Sequence, residues 1–250
     1  MAAIDPELLL RAYSIGVFPM SDGRQASEVY WVEPRRRAIL PPDQFHLSRS
    51  LRKTLRSGRF TVTRDTAFAE VIRRCAARDE TWINGGIEQS YIDLHARGHA
   101  HSVEVWEGGK LVGGLYGVRL GSAFFGESMF SSATDASKVA LAWLVARLKL
   151  GGFRLLDCQF MTGHLRSLGA VEVTQQSYLS MLSAGLEGAA AVLPPGFEAF
   201  GRAPPDGAGA ARREVPDFGA LDALLAASAG SSGDPAAAGC VISQLLVQTS

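Results

Sequence analysis

The 250-residue sequence predicts a mixed α/β (α+β) protein, with a small N-terminal domain, a larger central domain and a tail. The apolar fraction of 47% and the net charge of zero are those of an ordinary globular protein. Before residue 100 the apolar residues recur with the period of helices, and after it with the period of strands broken by glycines. A long apolar helix and a further strand follow, as in a mixed α/β domain.

The helices of the first half are predicted from their amphipathic spacing. The first runs from Pro6 to Ile15, with Asp5 as its cap and Gly16 near its end, and a Phe18-Pro19 turn follows. Three more helices are expected at residues 48–55, 67–76 and 87–97.

In the second half the period changes to that of a glycine-punctuated meander. Its strands are predicted at residues 101–106, 110–118 and 123–130. An apolar helix over 135–150 and a strand over 153–160 come next, and the central domain is completed by segments 163–168, 171–174 and 176–182. The predicted domain boundaries are 1–40, 41–186 and 187–250.

The last 64 residues contain 16 Ala, 9 Gly and 6 Pro, and only scattered apolar side chains. Such a composition does not offset the entropy lost when a long segment is ordered, so this tail is predicted to be mostly disordered. A short helix over 217–229 and a docking strand over 241–247 are the two ordered elements expected in it.

Charge is strongly segregated along the chain. From Arg35 to Arg74 there are eleven Lys and Arg residues against three acids, whereas the tail has three Arg against seven acids. The basic stretch is either a set of solvated helix faces or a surface that attracts an anionic partner.

The sequence also gives an expectation about the cellular compartment. Three cysteines lie far apart without CxxC spacing, which excludes a disulfide framework and favours the reducing cytoplasm. The first residues are acidic where a secretory signal needs a basic segment, and no run of 18 apolar residues occurs. We therefore expect neither export nor a membrane span.

Two segments place polar residues where a strand should be apolar. Glu127 is embedded in an aromatic and Met-rich strand, and Asp157 and Gln159 alternate with apolar residues so that both point to one sheet face. These residues are either satisfied polar groups near a sheet edge or a site that handles an amine. Trp31 and Trp82 are similarly either core anchors or platforms on which a nucleotide base stacks.

Other candidate sites are weaker. His95, His99 and His101 have no Cys or carboxylate partner that completes a metal site, so no metal is predicted. The glycine-rich stretch 108–114 lacks the Ser or Thr after lysine that a phosphate-binding loop needs, and no dinucleotide fingerprint is present. No cofactor is expected.

A series of segments in order from residue 5 to about residue 182 matches one known family. The segments are Asp5-Pro-Glu-Leu-Leu-Leu-Arg-Ala-Tyr, Gly16-Val-Phe-Pro-Met, Arg37-Ala-Ile-Leu-Pro, Phe45-His-Leu-Ser-Arg-Ser-Leu, Glu80-Thr-Trp-Ile, His101-Ser-Val-Glu-Val-Trp, Gly113-Gly-Leu-Tyr-Gly-Val, Phe125-Gly-Glu-Ser-Met-Phe-Ser, Asp135-Ala-Ser-Lys and Leu155-Leu-Asp-Cys-Gln. Together they closely resemble the bacterial leucyl/phenylalanyl-tRNA protein transferase family. The tail lies outside this resemblance.

The resemblance implies an enzyme that moves Leu or Phe, and less readily Met, from aminoacyl-tRNA to the N-terminal Arg or Lys of a protein. That transfer marks the protein for degradation by the N-degron route. The implied fold is a small N-terminal domain followed by an acetyltransferase-like (GNAT-like) domain, in which the tRNA acceptor end replaces coenzyme A. A monomer is expected, because no exposed heptad or long apolar face is evident.

The resemblance also implies roles for single residues. Gln159 receives or steers the amine proton, Asp157 orients and polarises the Gln159 amide, and Glu127 lies near the acceptor peptide. The expected pocket for the Leu or Phe side chain is formed by Leu115, Phe124, Met129 and Phe130. The residues expected to bind tRNA are Trp31, Trp82, Arg35, Arg36, Arg37, Arg49, Arg52, Lys53 and Arg56.

Two positions depart from the family pattern. Ser132 stands where arginine is usual, which predicts a weaker phosphate contact, and Asn84-Gly85-Gly86 replaces a Thr-Pro turn, which predicts a looser loop near Trp82. Two alternative functions remain from the sequence. One is a related aminoacyl-tRNA-dependent transferase with another amine acceptor, and the other is a non-catalytic RNA-binding protein.

Overall fold

The computed structural model of the chain describes residues 2–187, 215–228 and 234–247. Within these ranges the strands are β1 (Phe18–Met20), β2 (Tyr30–Val32), β3 (Arg36–Ile39), β4 (Thr61–Arg64), β5 (Ala100–Glu107), β6 (Lys110–Leu120), β7 (Ala123–Ser131), β8 (Leu155–Gln159) and β9 (Val171–Thr174). The helices are α1 (Pro6–Ser14), α2 (Arg49–Arg56), α3 (Phe68–Ala76), α4 (Gly85–Ala96), α5 (Ala136–Leu150), α6 (Gly163–Ser167), α7 (Gln175–Leu186), α8 (Ala220–Ser228) and α9 (Pro235–Leu245).

Within the described residues, seven strands form the main sheet in the order β4-β5-β6-β7-β8-β3-β9, and β1 pairs with β2 in a separate hairpin. The predicted α/β class is thus confirmed, including the meander, the apolar helix and the strand after it. Strand β3 belongs to the main sheet, although the sequence places it before the predicted boundary at residue 40. Strands β1 to β4 were not predicted.

Local chemistry explains the ends of the elements that carry the site. The Asp5 carboxylate accepts hydrogen bonds from the main-chain N–H groups of Glu7 and Leu8, which caps α1. The β5–β6 hairpin turns at Gly108 and Gly109, both of which have positive φ, as a tight hairpin turn requires.

Two apolar cores lie on opposite faces of the main sheet. One contains α1, α3, α4 and α7, and the other contains α5. Helix α5 is apolar all round and buried over most of its surface, because the sheet covers one side and the C-terminal helices cover the other.

The described parts of the C-terminal extension, residues 215–228 and 234–247, form helices packed on the central domain. Helix α8 confirms the helix predicted at 217–229. The docking strand predicted at 241–247 is wrong, because those residues continue α9, which Asp234 and Pro235 start as N-cap and first residue. The rest of the tail predicted to be disordered, residues 188–214 above all, lies outside the described residues.

Candidate active site

The predicted polar residues meet where β7 and β8 stop pairing. These strands run parallel and share only three paired positions, which end at Phe125 opposite Asp157. In β7, Gly126 pairs with Gly117 and Ser128 with Tyr116, so Glu127 is the extra residue of a bulge. Beyond the last main-chain pair, a side-chain bond joins the strands, because Nε2 of Gln159 donates to Oε1 of Glu127 at 2.8 Å.

Glu127 is buried and surrounded by donors from three different elements. Besides Gln159, the hydroxyl of Tyr13 on α1 donates to Oε1 at 2.7 Å and that of Tyr91 on α4 donates to Oε2 at 2.9 Å. The two tyrosine hydroxyls are also 2.5 Å apart. The N-terminal helix therefore contributes directly to the site.

Burial raises the pKa of Glu127 to about 7, although the hydrogen bonds from Tyr13, Gln159 and Tyr91 oppose this shift. A carboxyl group with this pKa holds or releases a proton near neutral pH.

Asp157 is fully buried and forms a second polar cluster. Its carboxylate accepts two bonds from Arg37, from Nε at 2.9 Å and from Nη2 at 2.6 Å, and one from the Tyr178 hydroxyl at 2.9 Å. The Arg37 guanidinium also donates to the carbonyl of Gly16 and lies over the rings of Phe18 and Tyr178.

These contacts correct two predicted roles. Arg37 is 1% exposed and committed to Asp157, so it is not available to bind a tRNA phosphate. Asp157 accepts from the main-chain N–H of Gln159 at 2.8 Å and does not contact the side-chain amide. Glu127, rather than Asp157, orients that amide.

The backbone of Gln159 has φ of 61°, an uncommon conformation for a residue with a side chain. Such a conformation costs about 1–3 kcal/mol and is typical of functional positions. It is held by the Asp157 bond to the Gln159 N–H. Because Nε2 is committed to Glu127, the amide presents its oxygen, which no hydrogen bond among the described residues engages.

The β1–β2 hairpin lies beside Gln159, and the segment before α4 contacts the end of that hairpin. The ring of Phe18 packs edge-on against the exposed ring of Phe160, the residue after Gln159, with centroids 5.7 Å apart. Trp31 is exposed in β2, and the Trp82 carbonyl accepts from the N–H of Ser21, next to β1. The structure thus places Trp31 in this hairpin and Trp82 beside it.

The predicted side-chain pocket is not a single cavity. Leu115, Phe124 and Met129 belong to the core on the α5 face, whereas Phe130 belongs to the core on the opposite face. The Phe124 ring is also covered by a parallel stack on Phe218. Phe130 therefore lies apart from the other three residues, and Leu115 and Met129 lie opposite each other in β6 and β7.

The other predicted tRNA contacts lie at the surface. Arg36 pairs with Glu172, and Arg35 is exposed beside it. The basic residues of α2 share its exposed face, and they are Arg49, Arg52, Lys53 and Arg56.

The two departures from the family pattern have local explanations. Asn84 caps α4 by accepting from the N–H of Ile87, and its buried amide donates to the carbonyl of Ala26. These bonds tie the segment at Asn84 to α4 and to the segment that contains Ala26. Ser132 is exposed, and its hydroxyl donates to the Val112 carbonyl.

Other features of the described chain lie apart from this site. A pocket of about 340 Å³ lies between α5 and the C-terminal helices, away from Glu127, and its lining is mostly apolar. In the ranges that the structure describes, no three His, Cys, Asp or Glu residues group as metal ligands. No helix there is long and apolar enough to cross a membrane.

Comparison with known proteins adds independent information. Residues 39–183 match a family model described as leucyl/phenylalanyl-tRNA protein transferase, and residues 2–35 match the model of its N-terminal domain. A leucyl/phenylalanyl-tRNA protein transferase of Rhizorhabdus wittichii is 60% identical over 100% of both chains. Those of Zymomonas mobilis and Cereibacter sphaeroides are 61% and 57% identical, and cover 73% and 78% of this chain and 70% and 91% of their own.

Likeness to solved structures is weaker. FemX aligns with 67% of this chain and 66% of its own, at 14% identity and a TM-score of 0.45. A likeness at this level carries no argument about function.

Proposed function

The chain belongs to the leucyl/phenylalanyl-tRNA protein transferase family, and we propose that it transfers Leu or Phe from aminoacyl-tRNA to proteins that begin with Arg or Lys. The N-terminal amine attacks the carbonyl carbon of the aminoacyl ester, and a peptide bond forms. The bond from that carbon to the 3′-terminal oxygen of the tRNA breaks, and the proton lost by the amine ends on this oxygen.

The proposal rests on the side-chain oxygen of Gln159, which no hydrogen bond among the described residues engages, while Nε2 of the same amide bonds Glu127. In our proposal this oxygen accepts an N–H of the attacking amine and so directs the nitrogen lone pair at the ester. An N-terminal amine has an ordinary pKa of about 7.7–8.0 and the ester is already activated, so no strong base is needed. Positioning supplies most of the rate.

Glu127 has two roles in this proposal. Its carboxylate fixes the Gln159 amide, and its negative charge attracts the positively charged acceptor end before the amine loses its proton. Tyr13 and Tyr91 position this carboxylate. Asp157 acts at a distance, because it holds the strained main chain at Gln159 and is neutralised by Arg37.

The aminoacyl-tRNA would approach from the side of the β1–β2 hairpin and lie along the basic surface, which is formed by Arg35, Arg36 and the cations of α2. We propose that Trp31 and Trp82 stack on the terminal adenine, and that Arg35, Arg36 and the cations of α2 contact phosphates. Leu115, Phe124 and Met129 are our candidates for the pocket that receives the Leu or Phe side chain.

The test is a transfer assay with radiolabelled Leu-tRNA and two acceptor proteins that differ only in the first residue. The acceptor that begins with Arg should become labelled, and the one that begins with Asp should not. Equal labelling, or labelling of the Asp acceptor alone, would refute the proposed acceptor class. An absence of any transfer under conditions where the tRNA binds would refute the reaction.

A further inference from the structure

Helix α2, which carries the exposed cations, needs packing contacts with other elements to be stable. This helix has eight residues, and only Leu51 and Leu55 are buried. So short a helix is not stable alone in water, so the direction of its exposed cations depends on what covers the leucines.

That cover comes largely from α9. Gly239 lies so close to α2 that a Cβ atom there would overlap the carbonyl oxygen of Leu55. Ile242 and Leu246 are buried in the same core cluster as Leu51 and Leu55. The close approach requires glycine, since even alanine would push the two helices apart.

The C-terminal extension is held on the domain by a second anchor. Phe218 is buried, stacks on Phe124 with ring centroids 5.4 Å apart, and stacks on His101 at 4.4 Å. The buried guanidinium of Arg147 on α5 donates to both carboxylate oxygens of Asp222, at 2.6 and 2.8 Å. These contacts fix α8 on the central domain.

The described parts of the extension contain three aspartates and no Lys or Arg, so they do not themselves attract phosphate. We infer that α9 is a positioning element for the tRNA donor, which acts by fixing α2 so that its cations face the tRNA backbone. This inference rests on the proposed role of α2 in tRNA binding. The alignment with the R. wittichii relative covers 100% of this chain, so that relative also has a C-terminal extension.

The test uses the full chain and compares tRNA affinity among three variants across a salt series. Gly239→Val displaces α9 from α2, and Ala237→Val is its control on the exposed side of the same helix. Arg52→Ala with Lys53→Ala removes two cations directly. We expect Gly239→Val to weaken binding roughly fivefold and to reduce the salt dependence as the double alanine variant does, while Ala237→Val leaves both unchanged.

Combining the substitutions tests whether α9 acts through α2. If it does, Gly239→Val has little further effect on tRNA affinity once Arg52 and Lys53 are alanine, so the two effects are not additive. Additive losses, or wild-type affinity in Gly239→Val, would overturn the inference while leaving α2 as a tRNA contact. Wild-type affinity in the double alanine variant would instead refute the role of α2, and the inference with it.

Hydrogen exchange separates local displacement from general unfolding. In Gly239→Val, amides of α2 should exchange faster, whereas those of β5 to β7 should stay protected. If Gly239→Val does not fold, the milder Ile242→Ala takes its place, with the same expectations. Unchanged exchange in α2 would contradict the inference. The KM for aminoacyl-tRNA should rise with kcat nearly constant, because the Glu127–Gln159 pair is untouched.

Discussion

At the scale of single residues, the site combines two buried carboxylates in opposite environments. Asp157 is neutralised by Arg37 and accepts hydrogen bonds from four donor atoms, whereas Glu127 has only hydroxyl and amide donors around it. Burial therefore raises the pKa of Glu127 to about 7. One carboxylate keeps the main chain in place, and the other changes its protonation near neutral pH.

Removal of Asp157 should chiefly affect stability. Asp157→Ala leaves the Arg37 guanidinium buried without its counter-charge, which costs about 3–5 kcal/mol of unfolding free energy. Chemical denaturation would measure this loss, and Glu172→Ala, which removes the exposed partner of Arg36, is the control with little effect. A change of less than about 1 kcal/mol in Asp157→Ala would contradict the role assigned to the pair.

Glu127→Gln should change the pH dependence of transfer. Below pH 7 the wild-type kcat/KM falls as both Glu127 and the acceptor amine become protonated, so its logarithm approaches a slope of about two. The variant retains only the amine, and its slope should be about one. Identical slopes in the two proteins would show that Glu127 does not titrate in the reaction.

Glu127→Gln should also change the stability of the folded state, in a direction that follows from the raised pKa of Glu127. The protonated carboxyl stabilises the folded state fully below its ordinary pKa of 4.5, and this contribution is lost as the pH rises through about 7. Glu127→Gln should therefore raise the melting temperature more at pH 8 than at pH 5. A larger rise in melting temperature at pH 5 than at pH 8 would contradict the raised pKa of Glu127.

Met129 tests the proposed side-chain pocket. A pocket of this kind distinguishes substrates by shape, with about 1–3 kcal/mol for a misfit methyl group. Met129→Ala should therefore change the ratio of Leu to Phe transfer, and Phe130→Leu, on the other sheet face, should not. The ratio is measured with both aminoacyl-tRNAs in one reaction, and an unchanged ratio in Met129→Ala would remove this residue from the pocket.

At the scale of elements, two helices, a strand and a bulge bring distant residues to the Glu127 carboxylate. The sequence indicated Glu127, Asp157 and Gln159, because polar residues inside apolar strands are conspicuous. Tyr13 and Tyr91 were missed, because a tyrosine on the apolar face of a helix has the same pattern as an ordinary core residue.

The burial of Arg37 and the direction of Phe130 also differ from the sequence-based predictions, for physical reasons. Arg37 was assigned to the surface because charge alone does not reveal burial, and its partner is 120 residues away. The bulge at Glu127 shifts the alternation of β7, so Phe130 faces the side opposite to Phe124, although they are six positions apart. A bulge has no signal in the spacing of apolar residues.

The cap of α4 provides an element-scale prediction. Asn84→Ala removes the bond to the Ile87 N–H and leaves the partly buried Ala26 carbonyl without this donor, so it should cost about 1–2 kcal/mol. Because α4 carries Tyr91, transfer activity should fall as well. Gln89→Ala on the exposed face of α4 is the control, and equal unfolding free energies in both variants would refute the cap.

At the scale of the whole molecule, α2 packs into the core on the α5 face of the sheet, whereas Tyr13 and Tyr91 of the polar site belong to the core on the other face. The sequence indicated the order of the meander, the long helix and the strand after it. It did not indicate that the C-terminal extension covers α5, although a helix that is apolar all round already requires cover on two sides. The Asp234-Pro235 start of α9 was the local signal against a strand.

The most direct test of the account is the single-turnover rate of transfer by Gln159→Ala. Enzyme preloaded with Leu-tRNA is mixed with an acceptor that begins with Arg, so that binding and turnover do not limit the rate. We expect near-wild-type melting temperature and tRNA affinity, with the transfer rate reduced by about 10²-fold or more because the amine is no longer oriented. A wild-type rate in this variant would show that the Gln159 oxygen does not direct the amine.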